Sequence, residues 1–332
     1  TNLASDQSSV VNPANPDLKN AWGLAASAAS PFWLGLNGSG LAEVYTGAGV
    51  KQSVFATIPG DGTVTGVVFS GVTGSFNGDS FLFDSEDGTV SGWRNALGTA
   101  AETLVLPSTN NVYKGITDAT IAGNEYAYLA NFRSGAVDVL KGNAAAPALT
   151  GNFVDPALPN GFAPFGIQRI GTTIYVTYAV QDGAKHDDVP GLGNGIVDAF
   201  DLQGAFLQRL ATGGMLNSPW GLALAPAGFG SFGGDLLVGN FGDGLIHAFD
   251  PSTKALVGTL TDSLGNPLSI DGLWSLQFGN GGAAGPTSTL FFTAGPNGED
   301  DGLFGELVTA PEPRTWLMAI AGLLPLLRRR RR

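Results

Sequence analysis

The sequence predicts an all-β fold, a six-bladed β-propeller with four-stranded blades whose ring is closed by the N-terminal strand. Three observations lead there. Of the 332 residues, 50 are glycine and only 13% are charged, so the chain turns often and is poor in the long polar side chains that favour helices. A short glycine motif ahead of an apolar strand recurs six times. Each copy is followed by two further apolar runs divided by a polar turn.

The motif stands at Ala21-Trp22-Gly23-Leu24, Thr65-Gly66-Val67, Lys114-Gly115-Ile116, Phe165-Gly166-Ile167, Trp220-Gly221-Leu222 and Asp271-Gly272-Leu273, at intervals of 43, 49, 51, 55 and 51 residues. A period of about 40–55 residues with four short strands per copy is what a propeller blade needs. Each thin sheet has two apolar faces and cannot bury both alone, so the sheets pack radially. The recurrent glycine is expected near the axis, where inner strands crowd and a residue without Cβ allows close approach.

The units run 20–60, 63–107, 113–155, 162–212, 217–262 and 270–308. The sixth has strands expected at 272–278, 288–293 and 302–307 and lacks a fourth, so residues 1–5 are expected to complete it and close the edge. The propeller thus spans 1–309, with a separate segment at 310–332. Paired β-sandwiches lack a six-fold period, and the rungs of a parallel β-helix are about half this long.

Composition excludes several chemistries. Without cysteine there is no disulfide, zinc-thiolate site, iron–sulfur cluster or thiol nucleophile. Residues 1–310 carry 10 Lys and Arg against 27 Asp and Glu, a net charge of −17, which disfavours nucleic acid. The chain opens on Thr1 with no basic or apolar leader, as expected if a secretory signal peptide has been removed or if the sequence has been trimmed.

No nucleophile elbow, P-loop or H-E-x-x-H motif is present. Gly228-Phe229-Gly230-Ser231-Phe232-Gly233 matches G-x-G-x-x-G but precedes a strand, and reads as a hairpin loop. His247 alternates with apolar neighbours, a strand position that makes it a poor catalytic base. The turns between second and third strands repeat Asn or Asp followed by Gly, which is ordinary turn chemistry. Gathered at one mouth of the ring, they could also form a polar or metal-binding rim. Asn37, Asp84, Asn131, Asp182, His186, Asp187, Asp188, Asn240 and Asp301 are the candidates, and oxygen donors of this kind suit calcium. No other cofactor is implied. The longest of these connections, 181–195, is unusually long for a blade hairpin.

The segment 310–332 differs in kind. Pro311-Glu312-Pro313 precedes an apolar stretch from Trp316 to Leu327 and then Arg328, Arg329, Arg330, Arg331 and Arg332. As a helix the apolar part rises about 18 Å, short of the roughly 30 Å hydrocarbon core. It suits a transient stop in the membrane, with the arginines on the cytoplasmic side. This order resembles the PEP-CTERM sorting tail of Gram-negative bacteria that make extracellular polysaccharide, in which a short C-terminal sorting helix follows the proline motif and an exosortase cuts near it. The resemblance implies export across the inner membrane to the cell envelope, surface or extracellular matrix. Lys185-His186-Asp187-Asp188-Val189, followed by Gly191-Leu192-Gly193-Asn194-Gly195, and the start Trp22-Gly23-Leu24-Ala25 resemble a group of PEP-CTERM-associated, NHL-like propellers. Two functions are then expected: a non-catalytic surface scaffold that meets polysaccharide or surface proteins, or a calcium-dependent hydrolase or lactonase with its site at the channel mouth.

Overall fold

The computed structural model describes residues 1–309, so the expected sorting motif at Pro311, Glu312, Pro313 and its basic stop at Arg328–Arg332 lie outside the described residues. Twenty-three strands in that span form six antiparallel sheets. After β1 (Asn2–Ser5), the first blade is β2 (Ala21–Ala25), β3 (Phe32–Leu36), β4 (Leu41–Tyr45) and β5 (Lys51–Thr57). The second is β6 (Val64–Phe69), β7 (Phe81–Ser85), β8 (Val90–Trp93) and β9 (Glu102–Val105). β10 (Tyr113–Ile121), β11 (Asn124–Asn131) and β12 (Ala136–Lys141) make the third, and β13 (Phe162–Ile170), β14 (Thr173–Val180), β15 (Ile196–Asp201) and β16 (Phe206–Thr212) the fourth. The fifth is β17 (Pro219–Leu224), β18 (Leu236–Asn240), β19 (Ile246–Phe249) and β20 (Leu256–Thr259). The sixth holds β21 (Leu273–Phe278), β22 (Leu290–Ala294) and β23 (Leu303–Leu307), with β1 as its fourth strand.

The first strands touch in succession from β2 through β6, β10, β13, β17 and β21, and β21 returns to β2. The ring is therefore closed. β1 latches it: Asn2, Ala4 and Ser5 pair with Gly305, Phe304 and Leu303, and the Thr1 nitrogen donates to the Glu306 carbonyl at 2.7 Å.

All six first strands slip register at the same place, between Ala21 and Leu24, Val64 and Val67, Tyr113 and Ile116, Pro164 and Ile167, Pro219 and Gly221, and Leu273 and Leu276. A bulge of this kind bends the strand and re-aims side chains. Four of the recurrent glycines sit in it because the next blade's backbone is too near for a Cβ, whereas one on Gly115 would meet nothing closer than 3.4 Å: a Cβ on Gly23 would lie 2.5 Å from the Thr65 carbonyl, and one on Gly66 2.6 Å from the Ile116 nitrogen. Gly166 and Gly221 face Trp220 and Trp274 in the same way. In the sixth blade the expected motif is displaced. The bulge holds Trp274-Ser275, so Ser275 replaces the glycine, and its hydroxyl turns the close approach into a 2.8 Å bond to the Trp22 carbonyl. Gly272 instead takes φ +64° packed against Gly295.

Opposite these bulges the second strands alternate. Asp84, Thr177 and Thr293, in the second, fourth and sixth blades, accept the freed N–H groups of Gly66, Gly166 and Ser275 at 2.6, 2.8 and 3.1 Å. The first, third and fifth blades have Gly35, Ala130 and Gly239 there. The ring thus repeats by pairs of blades.

The third sheet departs in detail from the four-stranded expectation, since it has three strands. Pro147 removes a backbone donor from residues 143–155, and the segment leans on the fourth blade. Gly151 and Phe153 donate to the Gln203 and Gly204 carbonyls at 2.9 Å each, and Phe153 packs between Tyr128 and Phe200.

Asp84 is fully enclosed, and burial pushes its pKa up to about 6 although Thr65 and Gly66 bond to it. An ordinary carboxylate value in the unfolded chain means that folding binds this proton. Its contribution is therefore complete below the unfolded pKa and lost as pH rises through 6. Stability is expected to fall by roughly 1.5 kcal/mol between pH 5 and 8 on this account. Asp84→Asn should flatten that slope in denaturant titrations across the range, and an unchanged slope would assign the effect elsewhere.

Candidate functional site

The bulges lift Trp22, Trp220 and Trp274 into one aromatic cluster at the axis. Trp22 and Trp274 stack with centroids 3.6 Å apart, Phe241 stacks on Trp274 at 4.0 Å, and Trp220 and Phe165 meet Trp274 edge-on or tilted at 5.9 Å. Beneath this plug, Leu24, Val67, Ile116, Ile167, Leu222 and Leu276, one from each blade, line an axial void of ≈ 20 Å³. That is room for about one water. The axis is therefore blocked, and the two faces of the ring are separate.

On one face the plug forms the floor of a cavity of ≈ 360 Å³. At its centre is Lys114, lifted by the third blade's bulge, its side chain 3% exposed. The ammonium is paired with Glu86, lies 3.4 Å from Asp187 Oδ1 and stands 5.3 Å over the Trp22 ring. Burial draws its pKa down, but Glu86 and Asp187 outweigh burial and hold it above the ordinary lysine value. Lys114 is thus a charged structural partner and has no basic lone pair to offer at neutral pH.

The walls extend this network. Asn37 donates to Glu86 at 3.1 Å, Asn20 to Glu299 at 2.6 Å, and the Trp274 indole N–H to Asn20 at 2.9 Å. The 181–195 connection folds over the mouth and brings in His186, Asp187 and Asp188. His186 Nδ1 lies 2.8 Å from Asp187 Oδ1. Burial opposes the Asp187 charge, yet His186 and Lys114 outweigh it and keep that carboxyl below its usual range. Burial pushes Asp188 and Glu299 upward. A more open groove of ≈ 510 Å³ adjoins the cavity, sharing Glu86 and His186 and running past Thr63, Ser108, Thr109, Asn111 and Arg133.

Of the sequence candidates, His186, Asp187 and Asp188 line this mouth and Asn37 reaches it through Glu86. Asp182 caps its own loop, accepting the His186 N–H at 2.8 Å. Asp84 secures a bulge, Asn131 bonds Asp138 and Asn111, and Asn240 bonds Met215 and Asp243. Asp301 belongs to the β1 latch, where Gln7 donates to it at 2.7 Å. His247 is enclosed in its strand and contacts Thr259 at 2.9 Å. Glu86, Lys114, Glu299 and Asn20 were not candidates. Lys114 had a signal, being the one basic residue in the series that precedes the recurrent glycines.

The expected oxygen cage is not assembled among the described residues, because Asn131, Asp182, Asn240 and Asp301 are engaged in separate places. The donors that do converge are Glu86, His186 and Asp187, within 4.8 Å of one another. One is an imidazole, and the Lys114 ammonium already lies against the other two. This set does not fit calcium, which takes six to eight oxygens.

No family model matches the chain. Among solved structures it is similar to selenomethionine-substituted virginiamycin B lyase from Staphylococcus aureus, with a TM-score of 0.49 and 12% identity over 86% of this chain and 94% of that one. A likeness at that level carries no argument about activity. Stronger likeness in sequence exists to two proteins of Acanthamoeba polyphaga mimivirus. "Uncharacterized protein R648" is 31% identical over 330 residues, covering 92% of this chain and 78% of that protein. For "Uncharacterized protein L690" the identity is also 31% over 330 residues, with 92% and 84% covered. At that identity and coverage the chain belongs to the same family as these two mimivirus proteins.

Proposed function

We propose that this protein is an exported, non-catalytic binding propeller that holds a polar ligand in its plugged mouth, routed to the cell envelope or extracellular matrix by its 310–332 segment. The observation that carries the reading is the continuity of the cavity and the groove beside it, an open trough of mixed polar and apolar lining over a sealed floor. The mouth's central lysine is spent on Glu86 and Asp187, which leaves rigid display as its use. Extracellular polysaccharide or surface proteins are the proposed partners, and an exosortase the sorting enzyme. Membrane contact is assigned to the tail alone: among the described residues no helix is long and apolar enough to cross a membrane.

Two measurements test this. Replacing Pro311, Glu312 and Pro313 by alanine should abolish tail cleavage and surface appearance, and unchanged processing would remove the sorting claim. Thr109→Trp fills the groove from an exposed position. It should end retention of the protein on its host's extracellular polysaccharide in affinity electrophoresis while leaving the melting temperature unaltered, and undiminished retention would place binding elsewhere.

A further inference from the structure

Four carboxyl groups, Glu86, Asp187, Asp188 and Glu299, face the cavity against two basic groups, Lys114 and His186. The cavity therefore has a surplus of negative charge, in a setting where burial makes that charge costly. An anionic or purely apolar guest would make this worse. A guest that brings a cation would relieve it, and the partly exposed Phe241 ring in the same lining would add cation–π attraction, the Trp22 ring being already taken by Lys114 and Trp274.

Two unpartnered atoms narrow the guest further. Trp22 lines the cavity and is 2% exposed, and its indole N–H has no acceptor, whereas those of Trp220 and Trp274 bond the Lys114 carbonyl and Asn20. Asp188 Oδ2, also at the cavity, has no donor. An ammonium alone supplies donors and leaves the indole unmet. A hydroxyl supplies both a donor and an acceptor. The adjoining groove sets the Thr63, Ser108 and Thr109 residues among the apolar Pro107 and Val112 beyond the axis, a mixed lining of the kind a sugar ring presents.

We infer that the mouth binds a saccharide carrying free amines, its ammonium directed to Asp188 and Glu299, its hydroxyls meeting the unpartnered polar atoms, and its next residues lying in the groove. The assignment rests on the reading of this mouth as a binding site and adds the ligand class.

Calorimetric titration of the full chain with three probes tests it: a glucosamine tetramer with its amines protonated, the matching N-acetylglucosamine tetramer, and spermidine. The free-amine tetramer is expected to bind at least roughly tenfold more tightly than either other probe, with affinity falling as salt is raised. Asp188→Asn and Glu299→Gln, each checked by thermal melt for an intact fold, should each weaken it several-fold. Equal binding of the N-acetylated tetramer would overturn the amine while leaving the mouth a sugar site. Equal binding of spermidine would overturn the sugar. Silence from all three would overturn the ligand class, and Thr109→Trp retention then decides separately whether the mouth binds anything.

Discussion

Lys114→Met is expected to lower stability by about 3 kcal/mol, read as the shift in the urea midpoint at neutral pH. The substitution keeps the length of the side chain and much of its contact with Trp22, so the loss isolates the charge. Glu86, its side chain only 12% exposed, then faces Asp187 with no cation between them, and Asn37 alone cannot replace a full positive charge. Removing one member of a buried pair strands the other, whereas removing both leaves little to repair. Lys114→Met combined with Glu86→Gln should therefore recover most of the deficit, a coupling that a double-mutant cycle measures directly. Additive losses would mean that the lysine contributes only through packing.

Deleting residues 1–8 is expected to cost still more, about 5 kcal/mol, and to promote association. The deletion takes away the β1 ladder, the 2.9 Å bond from Ser5 to Gly302, the Asp6 contact with Gly302 and the Asp6–Lys19 ion pair. It also uncovers Phe304, which is buried, and leaves β23 with an unpaired row of backbone groups. Shortening the exposed 261–268 hairpin by the same length should have a small effect by comparison. Thermal melts with size-exclusion chromatography separate the two, and equal melting temperatures would show that the ring does not depend on its latch.

The ring was legible in the sequence because its demands are local and repeated. A glycine where neighbouring backbones meet, an apolar strand after it and an Asx-Gly turn beyond recur on most blades because one geometry favours them. The displaced sixth motif shows the limit: Trp274-Ser275-Leu276 does the work of Trp-Gly-Leu, since a serine that bonds the adjoining carbonyl can occupy a place where another Cβ would collide. The third blade's missing strand follows from Pro147, which withholds a ladder donor, a feature visible in the sequence but outweighed there by the period.

The site was less legible for the opposite reason. Asp84, Asn131 and Asn240 attracted notice because their neighbourhoods recur, yet recurrence marks a shared structural task, and each is occupied with its own blade. Lys114 and Glu299 break the pattern. Their partners, Glu86 and Asn20, come from other blades and meet them only when the circle closes. In a repeat protein of this kind the common residues hold the ring, and the exceptions at the axis give it chemistry.

The position of β23 has a mechanical consequence. Tension applied through the residues that follow it enters at Leu307, on a strand hydrogen-bonded to β22 on one side and β1 on the other. A pull along that strand loads both ladders in shear at once, so the seam between the two ends of the polypeptide behaves as a clasp that shares the load. Severing the chain beyond residue 309 would leave the clasp fastened.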